Sequence, residues 1–332
     1  MAFFKKLLLL IILLAVGIGA VATWAFLRWA DTPILQAAPT IEFTIKSGSN
    51  IRSASRQLRS AGIPLQPILF EALARVQGKA SSLKAGSFEL NSEETPRELL
   101  QKIVEGKFSL TSLGIIEGWS FKQMRSAVNA HPHIRHDSLT MSDRELMKAI
   151  GSEYGHPEGL FFPDTYRFAK NSSDIQVYQL AHQAMLSRLD EVWKRRAENL
   201  PYKSPYQALI MASIVEKETG QASERGMIAS VFVNRLRVGM LLQTDPTVIY
   251  GMGEQFKGNI RKRDLTTDTP YNTYTRAGLP PTPIALPGLE SLKAAVNPEP
   301  SNAYYFVARG NGTSQFSENL SDHNKAVNKY QR

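Results

Sequence analysis

Hydrophobic positions along the chain fall into three regimes. Residues 7–27 are apolar and carry no charge, a run long enough to cross a hydrocarbon core of about 30 Å as a helix. From residue 40 onward, short strand-like runs alternate with amphipathic helices. Phe43-Thr44-Ile45-Lys46-Ser47-Gly48-Ser49-Asn50-Ile51 predicts a strand, a glycine turn and a helix capped by Asn50 and running through Leu58. Gly114 to Phe121 repeats the pattern, with Ser120 as the cap and a helix through Val128. The first copy continues with a helix over 66–76 and a strand over 87–90. Thr95-Pro96-Arg97-Glu98 then opens a capped helix to about Glu105. Residues 142–150 and 174–198 are helical, the latter turning Val177, Leu180, Ala181, Ala184 and Leu189 towards a core.

The most informative stretch is 204–250. Ser204-Pro205-Tyr206-Gln207 reads as a helix start, with serine as cap, proline at the first position and glutamine as capping-box partner. Gly220 supplies the stop. Met211, Ile214 and Val215 form an apolar stripe, and Glu218 continues it at i+7, whereas Glu216 and Lys217 point elsewhere. Partial burial and the unpaired carbonyls of a helix end both disfavour a carboxylate, so Glu218 is suited to stay protonated near neutrality as a general acid. The alternative is a glutamate at a frayed helix end, in water or paired with Arg225. A second helix starts near Ser223, carries Ile228, Val231 and Phe232 on one face, and closes with Arg235, Arg237 and Gly239. Gln243 to Gly251 is polar between apolar brackets, as suits a cleft wall offering hydrogen bonds to a sugar.

Between the helices, residues 156–168 read as a loop with a short extended part, because prolines punctuate both ends. Its aromatics serve either as a platform for sugar faces or as a plug in a core. Residues 258–300 are dense in Pro and Gly and predict an irregular wrap over helices. A strand over 304–308, a turn at Asn311-Gly312 and a helix over 321–330 complete the chain.

Composition sharpens the topology. The 332 residues are 43% hydrophobic, enough for real cores in more than one domain. Lys5 and Lys6 precede the apolar run, which by the positive-inside rule keeps the N-terminus cytoplasmic and exports the rest. Ala20-Val21-Ala22 resembles a signal-peptide cleavage site, but Thr23 to Leu27 continues the apolar run, favouring a retained anchor over 7–27. There is no cysteine, so neither disulfides nor an N-terminal lipid on cysteine is available. The net charge of +9, part of it at Lys5, Lys6 and Arg28, suits a surface near anionic lipid or wall polymer. No basic run with interleaved aromatics points to nucleic acid.

Three signals are set aside. His131, His133 and His136 share one loop without the spacing of a metal site. Ser81-Ser82-Leu83-Lys84 lacks the companion motifs of penicillin-reactive enzymes. No glycine loop of phosphate-cradling type occurs.

Several stretches, taken in order, resemble the endolytic murein transglycosylases of the MltG/YceG type. They are Glu158-Gly159-Leu160-Phe161-Phe162-Pro163-Asp164-Thr165-Tyr166, Ser213 to Thr219, Ser230 to Leu236, Leu242-Gln243-Thr244-Asp245-Pro246-Thr247, Tyr271-Asn272-Thr273-Tyr274, and Gly278 to Ile284. The resemblance implies an α+β chain in three parts. A cytoplasmic N-terminus and transmembrane helix (1–30) precede a linker and LysM-like βααβ region (31–140). A mainly helical, lysozyme-like catalytic domain (141–332) with a Pro/Gly-rich wrap and short strands follows. It implies a carbon–oxygen lyase that cuts the bond between N-acetylmuramic acid and N-acetylglucosamine within strands, leaves 1,6-anhydromuramyl ends and ends the growth of nascent strands. Glu218 matches the family's catalytic acid. Gln243, Asp245, Asn234 and Tyr166 are the candidates for positioning substrate, and neither a cofactor nor a metal is implied. Peptidoglycan strands are the expected partner, with wall synthases as further candidates, at the cytoplasmic (inner) membrane with the C-terminal part outside. Two rivals remain: a hydrolytic muramidase with Asp245 or Glu216 as second carboxylate, and a non-catalytic wall-binding scaffold. The chain departs from the family at Ser314, where a histidine is common; His323 is retained.

Overall fold

The computed structural model describes residues 2–331 apart from 36, 37 and 219. Gln36 and Ala37 of the expected linker, and Thr219 of the expected helix end, lie outside the described residues. The chain divides into two compact units, Met1–Thr111 with Arg167–Asn171, and Ser112–Tyr166 with Ser172–Arg332.

The first unit begins with α1 (Ala2–Ala30), whose segment Phe3–Ala30 has a mean hydropathy of 2.7 and is long and apolar enough to cross a membrane. Its lower two thirds exposes Leu, Ile and Val side chains all round. At its C-terminal end one side packs instead: Ala30 and, beyond the helix, Ile34 are buried in the unit's core, and Phe26 and Trp29 pack against it. The Arg97 fork donates to both oxygens of Asp31 at 2.6 and 3.1 Å, and fixes the exit of the chain from the helix. Strand β1 (Thr40–Ile45) pairs antiparallel with β2 (Gly86–Asn91), with Phe43 opposite Phe88. Helices α2 (Ile51–Ser60) and α3 (Pro67–Val76) lie between them in sequence, and α4 (Pro96–Glu105) follows. The caps follow the sequence: Asn50 accepts from Ser53 N, and Thr95 with Glu98 forms a capping box. Alternation along the strands puts Phe43, Ile45, Phe88 and Leu90 on one buried face against Leu58, Phe70 and Leu99.

The second unit is built on a helical core. Strands β3 (Leu110–Gly114) and β5 (Thr165–Ala169) each have residues in both units, and the second unit continues in chain order with α5 (Phe121–Ala130), β4 (Ile134–Arg135), α6 (Asp143–Ala149), β6 (Ser172–Ser173) and α7 (Asp174–Lys194). Strand β3 pairs with β5, and β4 runs parallel to β6. Then follow α8 (Pro205–Glu218), α9 (Arg225–Arg237), α10 (Asp245–Met252), α11 (Lys262–Thr266) and α12 (Leu289–Val296). The antiparallel hairpin β7 (Tyr305–Ala308) and β8 (Ser314–Ser317), and α13 (Leu320–Tyr330), close the chain.

Three differences from the sequence reading have physical causes. First, α5 belongs with the second unit although the repeat placed it before a division at 140. Phe121 stacks on Phe161 at 5.3 Å and lies near Tyr178, and this shared aromatic packing outweighs the local strand–turn–helix pattern. Second, residues 258–300 are not wholly irregular. Prolines flank α12 but none interrupts it, and Leu292, Ala295 and Val296 bury against the helices beneath. Third, the polar segment after Gln243 forms α10, with Pro246 in its first turn, where a missing N–H costs nothing.

Candidate active site

Helix α8 delivers Glu218. The Ser204 hydroxyl accepts from Gln207 N at 3.4 Å, and Gln207 Oε1 accepts from Lys203 N at 2.7 Å, one residue earlier than a capping box requires. Ala208 to Val215 are all buried, so the stripe through Met211, Ile214 and Val215 is one side of a helix enclosed on every side. Ser213, fully buried, donates to Ile210 O at 2.7 Å and accepts from Ile284 N at 3.0 Å. That bond ties the Pro-rich segment to α8.

At the end of this rigid helix Glu218 is half-buried. Its carboxyl accepts a hydrogen bond from the Thr244 hydroxyl. Burial pushes the Glu218 carboxyl above the ordinary carboxylate range. The Thr244 hydrogen bond works against that rise, the Asp245 charge adds to it, and the Arg235 guanidinium opposes it. Glu216, two residues back, faces the other way: it accepts from Gly288 N at 3.0 Å, and Arg225 stands 3.9 Å from it. Arg225 is therefore beside Glu216, not Glu218, and Glu216 is removed from any two-carboxylate site with Glu218.

Glu218 opens into a cleft of about 660 Å³ lined by Gln243, Asp245, Arg235, Tyr274, Tyr305 and His323, among others. The turn between α9 and α10 supplies its floor. Gln243 adopts φ +51, a left-handed conformation that a non-glycine side chain enters at a cost, and its N–H donates to Thr273 O at 3.1 Å. Tyr274 donates to Asp245 at 2.6 Å and so orients that carboxylate on the wall. Arg235 is buried with its fork spent on backbone: Nε donates to Tyr304 O at 2.7 Å, and Nη1 to Leu241 O and Leu242 O at 3.2 and 2.8 Å. One side chain thus joins α9, the Gln243 turn and the β7 hairpin. Tyr305 lies over that guanidinium and stacks on His323 at 5.1 Å. Burial, assisted by Arg235, holds the His323 imidazole below its usual range, so the ring is neutral at neutral pH.

Of the five residues singled out from sequence, Glu218, Gln243 and Asp245 come together in the cleft, and Asn234 and Tyr166 do not line it. Asn234 is buried on another side of α9 and donates to Ser301 O and Ala303 O at 2.9 and 3.1 Å, holding the approach to β7. The Tyr166 hydroxyl is committed to Phe162 O at 2.7 Å within its own loop. Ser314, where the family commonly has histidine, donates through N–H and hydroxyl to Glu224 at 2.7 and 2.8 Å and also lies off the cleft. Sequence reasoning overlooked Thr244, Tyr274, Arg235 and Tyr305. The signal for the first two was present, since both stand inside the motifs flanking Gln243 and Asn272.

Residues 43–329 match the YceG-like family, and the chain belongs to it. It is 31% identical over 309 residues to the endolytic murein transglycosylase of Bacillus subtilis (strain 168), covering 88% of this chain and 85% of that protein. The protein of the same name from Streptococcus pneumoniae (strain D39) is 28% identical over 326 residues, covering 85% of this chain. This chain spans 57% of the length of that pneumococcal relative. The crystal structure of a YceG-like protein from Listeria monocytogenes superposes with a TM-score of 0.55 at 32% identity, over 86% of this chain and 98% of that one.

Proposed function

We propose that this chain is a membrane-anchored endolytic murein transglycosylase in which Glu218 is the acid–base group. The observation that carries the reading is the Glu218 carboxyl itself, held at the end of a buried helix, with a raised pKa, at the mouth of a sugar-sized cleft. Protonated Glu218 gives its proton to the glycosidic oxygen as the C1–O bond breaks. The muramyl 6-hydroxyl then closes onto C1, and its proton passes to the Glu218 carboxylate, which restores the acid and leaves a 1,6-anhydro end. An internal nucleophile makes a second carboxylate unnecessary. Gln243 and Asp245 are the substrate-positioning groups of this reading.

The finer assignments are parts of the same proposal. The first unit, with its β1-α2-α3-β2 order, is a LysM-like module that positions the enzyme on the wall, and the helical second unit is the lysozyme-like catalytic part. The anchor leaves the N-terminus in the cytoplasm at the inner membrane, beside the synthetic enzymes that lay down nascent strands.

Glu218→Gln keeps the side chain's size but cannot exchange the proton. It is expected to bind glycan normally and lose roughly 10²–10⁴-fold in rate. Wild-type products from purified glycan should carry 1,6-anhydromuramyl ends and no ¹⁸O from labelled water. Reducing ends carrying ¹⁸O would instead favour hydrolysis assisted by Asp245, which shares the cleft with Glu218. A fully active Glu218→Gln enzyme would remove Glu218 from the mechanism.

A further inference from the structure

We propose that Thr244 is a positioning residue for the reaction: its hydroxyl holds Oε1 of Glu218, so that Oε2 alone carries, gives and takes back the proton. The inference rests on the reading of Glu218 as the acid and goes on to say which of its oxygens works. Thr244 immediately precedes α10 with extended backbone angles (φ −118, ψ 122), the position from which a threonine side chain ordinarily accepts a hydrogen bond from the first turn of its helix. It makes no such bond. The hydroxyl is turned instead to Glu218. A helix-capping contribution is given up, and the group that receives the hydrogen bond is the one with the catalytic geometry.

The residue cannot turn away easily. Thr244 is 2% exposed. Its N–H donates to the Thr273 hydroxyl at 3.1 Å, its carbonyl accepts from the Thr247 hydroxyl at 2.7 Å, and those two hydroxyls are 2.9 Å apart. Three threonines from two motifs thereby fix one donor. A hydroxyl has a single proton, and here it points at Oε1. When Glu218 is neutral, Oε1 is the carbonyl-like acceptor and the acidic proton resides on Oε2. When Glu218 is ionised, the same bond stabilises the anion while Oε2 awaits the proton of the attacking hydroxyl. The Thr244 proton is never transferred, so the atoms balance as in the basic reaction. The other charged or titratable groups facing this carboxyl are Asp245, Arg235 and Tyr274, with His323 across the same cleft.

The test compares Thr244→Val, an isostere without the donor, with Thr244→Ser, which keeps it, in the full-length detergent-solubilised protein acting on purified glycan strands. For the valine variant kcat should fall roughly ten- to a hundredfold, as expected for losing a hydrogen bond to a charged group. KM should stay within about threefold, and the alkaline limb of the kcat–pH profile should move to higher pH. The serine variant should restore both rate and profile. A residue that merely supported the fold would lower thermal stability without moving the profile. If valine prevents folding, Thr244→Ala takes its place in the comparison. A valine or alanine variant with wild-type kcat and profile, or a serine variant as impaired as valine, overturns the proposal. Glu218→Gln is measured alongside. Should that variant be active, the reading of Glu218 itself fails; should it be inactive while Thr244→Val is unaffected, only the role of Thr244 fails.

Discussion

Gly159 lies so close against Pro283 that a Cβ placed on the glycine would stand 2.4 Å from the proline Cβ and 2.5 Å from its Cγ. Two stretches far apart in sequence, one aromatic and one proline-rich, thus pack backbone to ring. Gly159 also has φ +79, a conformation that costs other residues free energy. Gly159→Ala is therefore expected to destabilise the protein by about 2 kcal/mol or more, because neither the ring nor the backbone can yield cheaply. Denaturant unfolding would show it. Gly155→Ala, with open space around it, serves as the near-neutral control.

The proline-rich segment has a second tether. Ser213→Ala would leave Ile284 N–H buried without its acceptor, and the fully buried site gives water no access. A loss of about 1–3 kcal/mol is expected. Hydrogen exchange should show the Ile284 amide opening faster while amides in α4 are unchanged. Unaltered protection at Ile284 would show that the segment is held by packing alone.

Arg235 tests whether the cleft floor depends on one side chain. Lysine keeps the charge but has no planar fork, so it cannot serve Tyr304 O, Leu241 O and Leu242 O together. Arg235→Lys should cost about 1–3 kcal/mol in unfolding free energy. It should also lower kcat by roughly tenfold, because the Gln243–Thr244 turn loses its support. Wild-type turnover in a correctly folded lysine variant would contradict that coupling.

The helix that carries Glu218 was legible because its signals are local: Ser204, Pro205 and Gln207 mark its start, and apolar spacing marks its body. The same reasoning misplaced Asn234 because Ile228 to Arg235 are all buried. On a helix enclosed on every side, periodicity cannot tell the face towards the cleft from the face towards the β7 hairpin. Thr244 was missed for a related reason. Gln243 to Gly251 reads only as a polar segment, and tertiary placement alone reveals that the Thr244 hydroxyl is the one that meets Glu218. Tyr305 and His323 reach the cleft from separate segments, and no spacing in the chain announces their meeting. The α1 helix and the β1-α2-α3-β2 order of the first unit were written in composition and caps, whereas the place of α5 depended on aromatic contacts of Phe121 distant in sequence.

Glu158 sets a pH dependence of stability that is independent of catalysis. It is 3% exposed; Oε1 accepts from Phe121 N at 2.9 Å, and Oε2 from the Tyr250 hydroxyl at 3.1 Å. Burial outweighs these two hydrogen bonds and a third from the Gly159 backbone, and pushes its pKa up to about 7. In the unfolded chain the same carboxyl titrates near 4.5, the ordinary value for a glutamate. Below that value both states hold the proton, and the contribution to stability is fully present. As pH rises towards about 7 the unfolded state has released its proton and the folded state has not, so stability falls, by about 3 kcal/mol in all. Glu158→Gln does not titrate and can still accept from Phe121 N. The difference between wild-type and variant unfolding free energies, measured from pH 4 to pH 8, should therefore shift in the variant's favour across that window and level off above it. Taking the difference removes the contribution of Glu218, which has the same sign, and those of buried His182 and half-buried His323, which have the opposite sign. A difference that stays flat from pH 4 to pH 8 would mean that Glu158 titrates alike in the folded and unfolded protein, with its hydrogen-bond donors offsetting its burial.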